Sequence, residues 1–563
     1  MKKILFLLSA MCLAAGCSKE FLQIYPESNY TGESYYTSDD AVFKAGAPLY
    51  NRAWFNFNRR AILGVGSYRA NDGWNKYASA EFARFQTTAL TNEVIQAWSS
   101  LYTVVTLSNS ILHDVTFNCG EDVSEEIRNR AIGEAYLMRG TSYFYMVRTW
   151  GPVILFEDND PVVLSPKRPL NPEEDVFKFI IRDLRKAVEY LPETGMDGRV
   201  SKYAAEGMLA KVLLAHSGWN NGGTRRQEEL DECIRLCEDV IDHSGAVLMD
   251  DYAQLFRYQN NNNSESLFAM QWADPLLGGW GERNCLLSDL SFAEVCDVNC
   301  WANNLNPSMD MIDFFNEGFV GTERWYATWF TEDAYYPYIK TNSGGYTYKK
   351  KWLQNKKGVV GSKEDNDGKL ASQASPLNTY ILRLADVYLM HAEASLGNQS
   401  ILTSGRGLDS FNAVRERAGV AAASAITFDD IVKERRVEFS MEYSNWFDMV
   451  SWYRWKPAEM MAYFNGKQHR GYEIREKDVE KIAMPDGSFK LNYTPYNYKN
   501  ADGNKIWRLN PDGSPNPAFA FEDIPIDLPV VVVEANIFLP YPEADVLQNP
   551  YLSQSPEPYD FGE

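Results

Sequence analysis

The chain has 563 residues, of which 45% are hydrophobic and 23% charged, so it can bury a sizeable core and does not read as disordered. Its formal net charge of −21 repels phosphate backbones and argues against general nucleic-acid binding. Aromatic residues reach 14%, with 15 Trp and 33 Tyr, an excess that implies some rings on a surface.

Residues 1–16 carry Lys2 and Lys3 and then an apolar stretch from Ile4 to about Ala15, the layout of a signal peptide and too short for a membrane span. Ala14, Ala15 and Gly16 precede Cys17 as in a bacterial lipobox, whose cysteine becomes the first mature residue and carries acyl chains. Leu13 lies four residues before Cys17, one more than is usual, and an ordinary signal peptide with an incidental cysteine is the alternative. Each buried methylene is worth about 0.8 kcal/mol, so two or three acyl chains tether a soluble body firmly. No later run of about 18 apolar residues follows. "LPVVVVEAN" (528–536) is shorter and reads as a strand or buried segment.

Helical periodicity begins with "SEEIRNRAIGEAYLMRG", which places Ile127, Ala131, Ala135 and Met138 on one face. Asn171-Pro172-Glu173-Glu174 reads as an N-cap, a first-turn proline and acids facing the helix dipole. A helix over 201–218 starts at Ser201, stops at Gly218 and stripes Ala205, Met208, Leu209 and Val212. Residues 219–376 are rich in Asn, Gly, Trp and Tyr and read as long loops on a helical scaffold. Beyond them, Ile381, Leu384, Ala385, Tyr388, Leu389 and Ala392 follow a helical period, and Thr427 with Asp430 forms a capping box. The paired helices suggest degenerate tetratricopeptide-like hairpins without a strict 34-residue period. The expected organisation is a signal peptide (1–16) and one mainly α domain (17–563), with a helical part to about 218, a loop-rich middle to about 376, and a helical part and tail beyond.

No standard catalytic motif is present. "GVGSYR" (64–69) begins like a dinucleotide fingerprint but has Arg69 at the third glycine, and "KEDNDG" (363–368) puts Lys363 at the first position of a calcium loop. Two of the eight cysteines fall in the leading segment. Cys233/Cys237 and Cys296/Cys300 share an i,i+4 spacing, which on a helix sets two thiols on one face. With only five His in the chain, no metal or other cofactor is expected. Buried free thiols are expected, and a disulfide among them stays open.

Surface aromatics offer a different chemistry. A ring can pack on the apolar face of a sugar while Asn, Asp and Arg bond its hydroxyls. "SYRANDGWNKY" (67–77) supplies Tyr68, Arg69, Asn71, Asp72, Trp74, Asn75 and Tyr77. "GGWGERN" adds Trp280, Arg283 and Asn284, "CWANN" adds Trp301, and "ERWYATWF" adds Trp325 and Trp329. A lone Trp is more often core. Trp74 and Trp280, flanked by Gly, Asn and charged residues, are the rings for which ligand contact competes best with burial. The candidate ligand-binding set is Tyr68, Arg69, Asn71, Asp72, Trp74, Tyr77, Trp280, Arg283 and Trp301, with no catalytic or metal residue.

Six segments in order resemble the SusD/RagB family of Bacteroidetes outer-membrane lipoproteins: "CSKEFLQIYPES", "AWSSLYTVVTLSNSIL", "EAYLMRGTSYFYMVRTWGPVIL", "ILRLADVYLMHAEA", "IVKERRVEFSMEYSNWFDMV" and "IFLPYPEADVLQNPYLSQSP". Ile154 stands where a Pro is frequent, Asn445 where an Arg is common, and Tyr541 for the usual Ile. The resemblance implies a mainly α fold with four tetratricopeptide-like hairpins plus irregular loops and a few short strands. It implies a lipid-anchored protein facing the cell exterior that captures oligosaccharides for a SusC-like TonB-dependent transporter, without catalysis. Peptide is the alternative ligand. A surface glycoside hydrolase and a scaffold binding only proteins are the remaining readings. Glu134, Arg139, Arg383, Asp386, Glu393, Glu434, Arg435 and Glu438 lie in the matching helices and are expected to pair with one another or satisfy loop backbone rather than meet ligand.

Overall fold

The computed structural model describes residues 35–75, 79–196, 198–300, 305–466, 478–494, 502–519 and 530–562. Cys17 and the leading segment, Tyr77 and Trp301 lie outside the described residues. The scaffold begins with α1 (Asn92–Phe117), α2 (Glu125–Trp150), α3 (Glu173–Tyr190), α4 (Lys202–Gly218) and α5 (Gln227–His243), each packed on the next. Residues 244–383 then intervene. The series resumes with α6 (Leu384–Leu396), which packs directly on α5, and α7 (Arg406–Arg417), which packs on α6. Last come α8 (Phe428–Glu438), which packs on α6, α9 (Asn445–Trp455), which packs on α4, and α10 (Pro457–Gly466). The mainly α expectation holds. No helix among the described residues is long and apolar enough to cross a membrane.

Strands are few and short, and those used below are β1 (Gly73–Trp74), β2 (Ser266–Met270), β3 (Asn306–Pro307), β4 (Thr379–Arg383), β5 (Val479–Ala483) and β6 (Phe489–Tyr493). β1 pairs with β3, β2 with β4 and β5 with β6, all antiparallel. The β2–β4 pair joins the two ends of the intervening segment. One buried cluster runs through the molecule from Tyr36 to Leu539, joining scaffold and loops.

The helix starts follow local chemistry. The Ser124 hydroxyl accepts from Ile127 N–H to cap α2, and Thr427 with Asp430 forms the expected box at α8. Three expectations fail. Asn171 does not cap α3, because its Oδ1 accepts from Leu155 N–H and its Nδ2 donates to the Glu557 carbonyl. Ile381 is not helical: 379–383 is a short apolar run, and pairing with β2 decides a choice that periodicity alone cannot. Residues 530–533 form no strand; Val532 is buried by a two-way hydrogen bond with Asn465, while Val531 and Val533 are exposed.

The polar residues of the matching helices are buried and pair internally, as expected. Arg139 makes a bidentate pair with Asp183 at 2.7 and 2.9 Å. Glu134 takes Arg199 at 2.6 Å, and Glu393 takes Arg225 and the Trp452 indole N–H. Asp386 is held by Lys211 at 2.6 Å and Arg435 at 2.7 Å, and Glu434 by Arg324 at 2.6 Å. Arg383 is the hub. It reaches Glu265 at 2.6 Å, Glu438 at 2.7 Å and Glu442 at 2.8 Å, and so ties β4 to the start of β2 and the end of α8.

Not every buried charge among the described residues has a carboxylate within ion-pair distance. Lys356 is fully buried and its Nζ meets only the Val359 carbonyl at 3.4 Å, with the rings of Phe330 and Tyr338 nearby. Burial, helped by Arg257, lowers its pKa to about 7 from an unfolded value of 10.5. The unfolded chain therefore binds more protons between those values, and this group makes stability rise with pH from about 7 upward. Lys356→Met is expected to raise stability at pH 7 by about 1–3 kcal/mol and to flatten the rise between pH 7 and 9. Urea midpoints at stepped pH check both.

Candidate functional site

Residues 57–68 hold the site together. They form two π-helical turns, Phe57–Ala61 and Leu63–Tyr68, closed by i→i+5 bonds such as Arg69 N–H to the Gly64 carbonyl. The glycines of this segment serve packing. A Cβ on Gly66 would stand 1.9 Å from the Tyr443 carbonyl oxygen, and one on Gly64 would strike the Phe82 ring at 2.8 Å. The fingerprint-like "GVGSYR" is thus a close passage of two backbones.

On one side, this segment docks on the loop that carries Trp280. Asn58 Nδ2 donates to Asn284 Oδ1 at 3.1 Å, and Arg60 Nε meets Asp289 at 3.1 Å. The loop is fixed from within: Gly279 N–H donates to Glu282 Oε2, Arg283 Nε donates to the Gly278 carbonyl, and Ala273 N–H donates to the Glu282 carbonyl. Trp280 stands at its apex, 48% exposed. The Phe55 ring meets its edge at 5.7 Å, and the Arg59 guanidinium lies over it at 5.4 Å. Leu277 beside it is 87% exposed. A half-open indole braced by a cation is suited to stacking on a flat, weakly polar ring.

On the other side, the segment leads to Trp74. Here the structure corrects the expected surface, because the side chains proposed to face a ligand are buried. Trp74 is 5% exposed, with the Arg84 guanidinium 5.0 Å over its ring, and its strand pairs with Asn306 of β3. Tyr68 is buried, and burial beside Asp289 pushes its hydroxyl pKa well up. Arg69 donates to the carbonyls of Asn536 and Ile537 and stacks on Phe85 at 4.2 Å. Asn71 adopts φ 63°, tolerable for Asn, and donates to Asp310. Asp72 accepts from Asn445 at 3.0 Å on both oxygens and from Arg436 at 3.3 Å; burial still raises its pKa to about 6. Asn445, standing where an Arg is common, therefore keeps a structural contact. Trp325 and Trp329 are core rings. Tyr77 and Trp301 lie outside the described residues.

The sequence reading missed Arg59, Phe55 and Arg52. A Cβ on Gly281 would stand 3.8 Å from the Arg52 side chain, so both arginines approach the same loop. "RAWFNFNRR" carries no loop signal, and only the approach of the Trp280 loop distinguishes Arg59 from an ordinary surface charge. "KEDNDG" is also explained: Asp365 accepts from the N–H groups of Lys340, Thr341 and Ser362 and orders loop backbone.

Comparison with known proteins adds the following. The family model described as "SusD family" matches residues 257–558. A second, described as "Starch-binding associating with outer membrane", matches residues 20–214. A "SusD-like protein" of Bacteroides ovatus is 50% identical over 565 aligned positions, covering 100% of this chain and 99% of that protein. A solved structure described as a complex with xylogluco-oligosaccharide is 48% identical, with a TM-score of 0.81, over 93% of this chain and 100% of the other. A "Laminarin binding SusD-like protein" shares the fold at 22% identity and a TM-score of 0.59, over 77% of this chain and 95% of that one.

Proposed function

This chain belongs to the SusD family, and from that premise we propose that it is a lipid-anchored protein of the outer-membrane surface that captures oligosaccharides. It passes them to a SusC-like TonB-dependent transporter and does not cleave them. The observation that carries the ligand class is the exposed Trp280 ring with Arg59 over it, on a chain 48% identical to one solved with a xylogluco-oligosaccharide. We read the preferred ligand as a neutral oligosaccharide of that kind. The indole packs on a sugar face, and Arg59 and Arg52 bond its hydroxyls. The acidic surface does not attract such a ligand, so affinity rests on short-range contact, with a Kd on the order of micromolar to millimolar.

Calorimetric titration of the chain begun after Cys17 tests the reading, with xylogluco-oligosaccharides beside mannan, xylan and peptide ligands. Saturable binding of a xylogluco-oligosaccharide is expected. Arg59→Ala should weaken it about three- to tenfold, the loss of one charged hydrogen-bond partner. Binding of peptide and of no sugar would reject the proposal. Release of reducing ends by purified protein would reject the non-catalytic role.

A further inference from the structure

The two cysteine pairs share one spacing but not one fate. Cys233 and Cys237 lie within α5, which sets their buried side chains on one face. Cys296 instead ends a short helical turn, Ala293–Cys296. Asp297 follows at φ 54°, the left-handed conformation that Asp tolerates, and turns the chain back. Cys300 therefore returns onto Cys296, and the two sulfurs stand 2.6 Å apart. A disulfide needs about 2.05 Å, a further approach of about half an ångström. Both sulfurs lie in an apolar cluster with Leu287, Leu370 and Leu377. Beyond each other, Cys296 Sγ meets the carbonyls of Phe292 and Val298, at 3.3 and 3.5 Å.

We propose that Cys296 and Cys300 form a disulfide that closes the 296–300 turn. The hydrogen bond from Cys300 also draws the Cys296 thiol down to about 7, against the effect of burial, so thiolate is available for exchange near neutral pH. The oxidant is a small or protein disulfide. One cysteine thiolate attacks it, forming a mixed disulfide and releasing one thiol; the second cysteine thiolate displaces the remaining half. The pair loses two protons and two electrons, one sulfur–sulfur bond forms, and the oxidant leaves as two thiols. The closed turn lies shortly before β3, whose partner strand carries Trp74, and Ser308 just beyond it donates to the Asn71 carbonyl.

The test uses the full chain, folded, in buffer poised with oxidised glutathione and, separately, with excess dithiothreitol. Each sample is acid-quenched, unfolded, alkylated and digested, and the peptides are weighed. In the oxidised sample, the peptides carrying Cys296 and Cys300 should be unlabelled and lighter by two hydrogens, while Cys233 and Cys237 are labelled in both samples. Cys296→Ser should leave Cys300 labelled or glutathionylated under oxidation. Full labelling of Cys296 and Cys300 in the oxidised sample would overturn the proposal, as would linkage of either to Cys285.

Discussion

Trp280→Ala is expected to weaken oligosaccharide binding at least tenfold while leaving the unfolding midpoint within about 2 °C of the parent. The two halves of that result come from one number. The ring is 48% exposed, so about half of it is available to a ligand and the rest rests on Phe55 and Arg59. Covering roughly 100 Å² of indole at about 25 cal/mol per Å² gives an upper figure of about 2.5 kcal/mol, or nearly a hundredfold in Kd. Ordering of the sugar takes part of that back. Folding loses little, because the loop is held by Glu282 and Arg283 rather than by the ring. Trp74→Ala is the informative contrast. That ring is core, and its removal is expected to cost about 3–5 kcal/mol of stability. Titration and thermal melts of both variants separate the roles. Undiminished binding by Trp280→Ala would move the site elsewhere.

The largest stability effect is expected from Arg383→Met. The substitution keeps much of the side-chain bulk but leaves Glu265, Glu438 and Glu442 facing one another with one cation fewer. Breaking a buried ion pair by removing one partner costs about 3–5 kcal/mol, and here one cation serves three acids. The pH dependence identifies the cause. Burial alone would raise the Glu438 pKa, but Arg417, Arg383 and Arg324 bring it down to about 2, and Glu442 is lowered too, by Arg383 and Lys357. A depressed carboxylate contributes stability that is full above its unfolded pKa of 4.5 and is lost as pH falls through about 2. The variant has less of this contribution to lose. Its deficit should therefore narrow as pH falls below about 4.5, whereas a plain packing defect would be constant with pH. Denaturant midpoints from pH 7 to pH 3 decide between them.

The scaffold was legible because long helices write their period and caps locally. Ser201–Gly218 and the Thr427–Asp430 box needed only the sequence, and six ordered segments pointed to the family. The strand at 379–383 was not legible, since its partner lies more than a hundred residues upstream and its apolar run fits a helix as well. The site divided for the same reason. Trp74 and Trp280 sit in equally polar stretches, "NDGWNKY" and "GGWGERN". Composition could not show that one is covered through pairing with a distant strand while the other tops a self-closed loop. Arg59 was invisible because its role is conferred by a loop reached only after more than two hundred residues. Glu134, Arg383 and Glu438 were read correctly as internally paired, because a buried charge needs a partner, although Arg383 ends β4 rather than lying in a helix.

The break between α5 and α6 has a consequence for how such a protein diversifies. The two helices pack as though 244–383 were absent, and the segment leaves and returns through paired strands locked by Arg383 and Glu265. Loop closure grows only logarithmically with length, about 0.6 kcal/mol per doubling, so the scaffold is nearly indifferent to how much chain is spliced in there. What it requires is a pair of feet in register and one arginine to clamp them. Between those feet, insertions, deletions and new aromatic tips can accumulate where the segment stands clear of the helices, as at the Trp280 loop, but not where Arg324 pairs with Glu434 and Glu438 of α8. The molecule thus resembles a tool handle with a standard fitting, on which selection can exchange the working end.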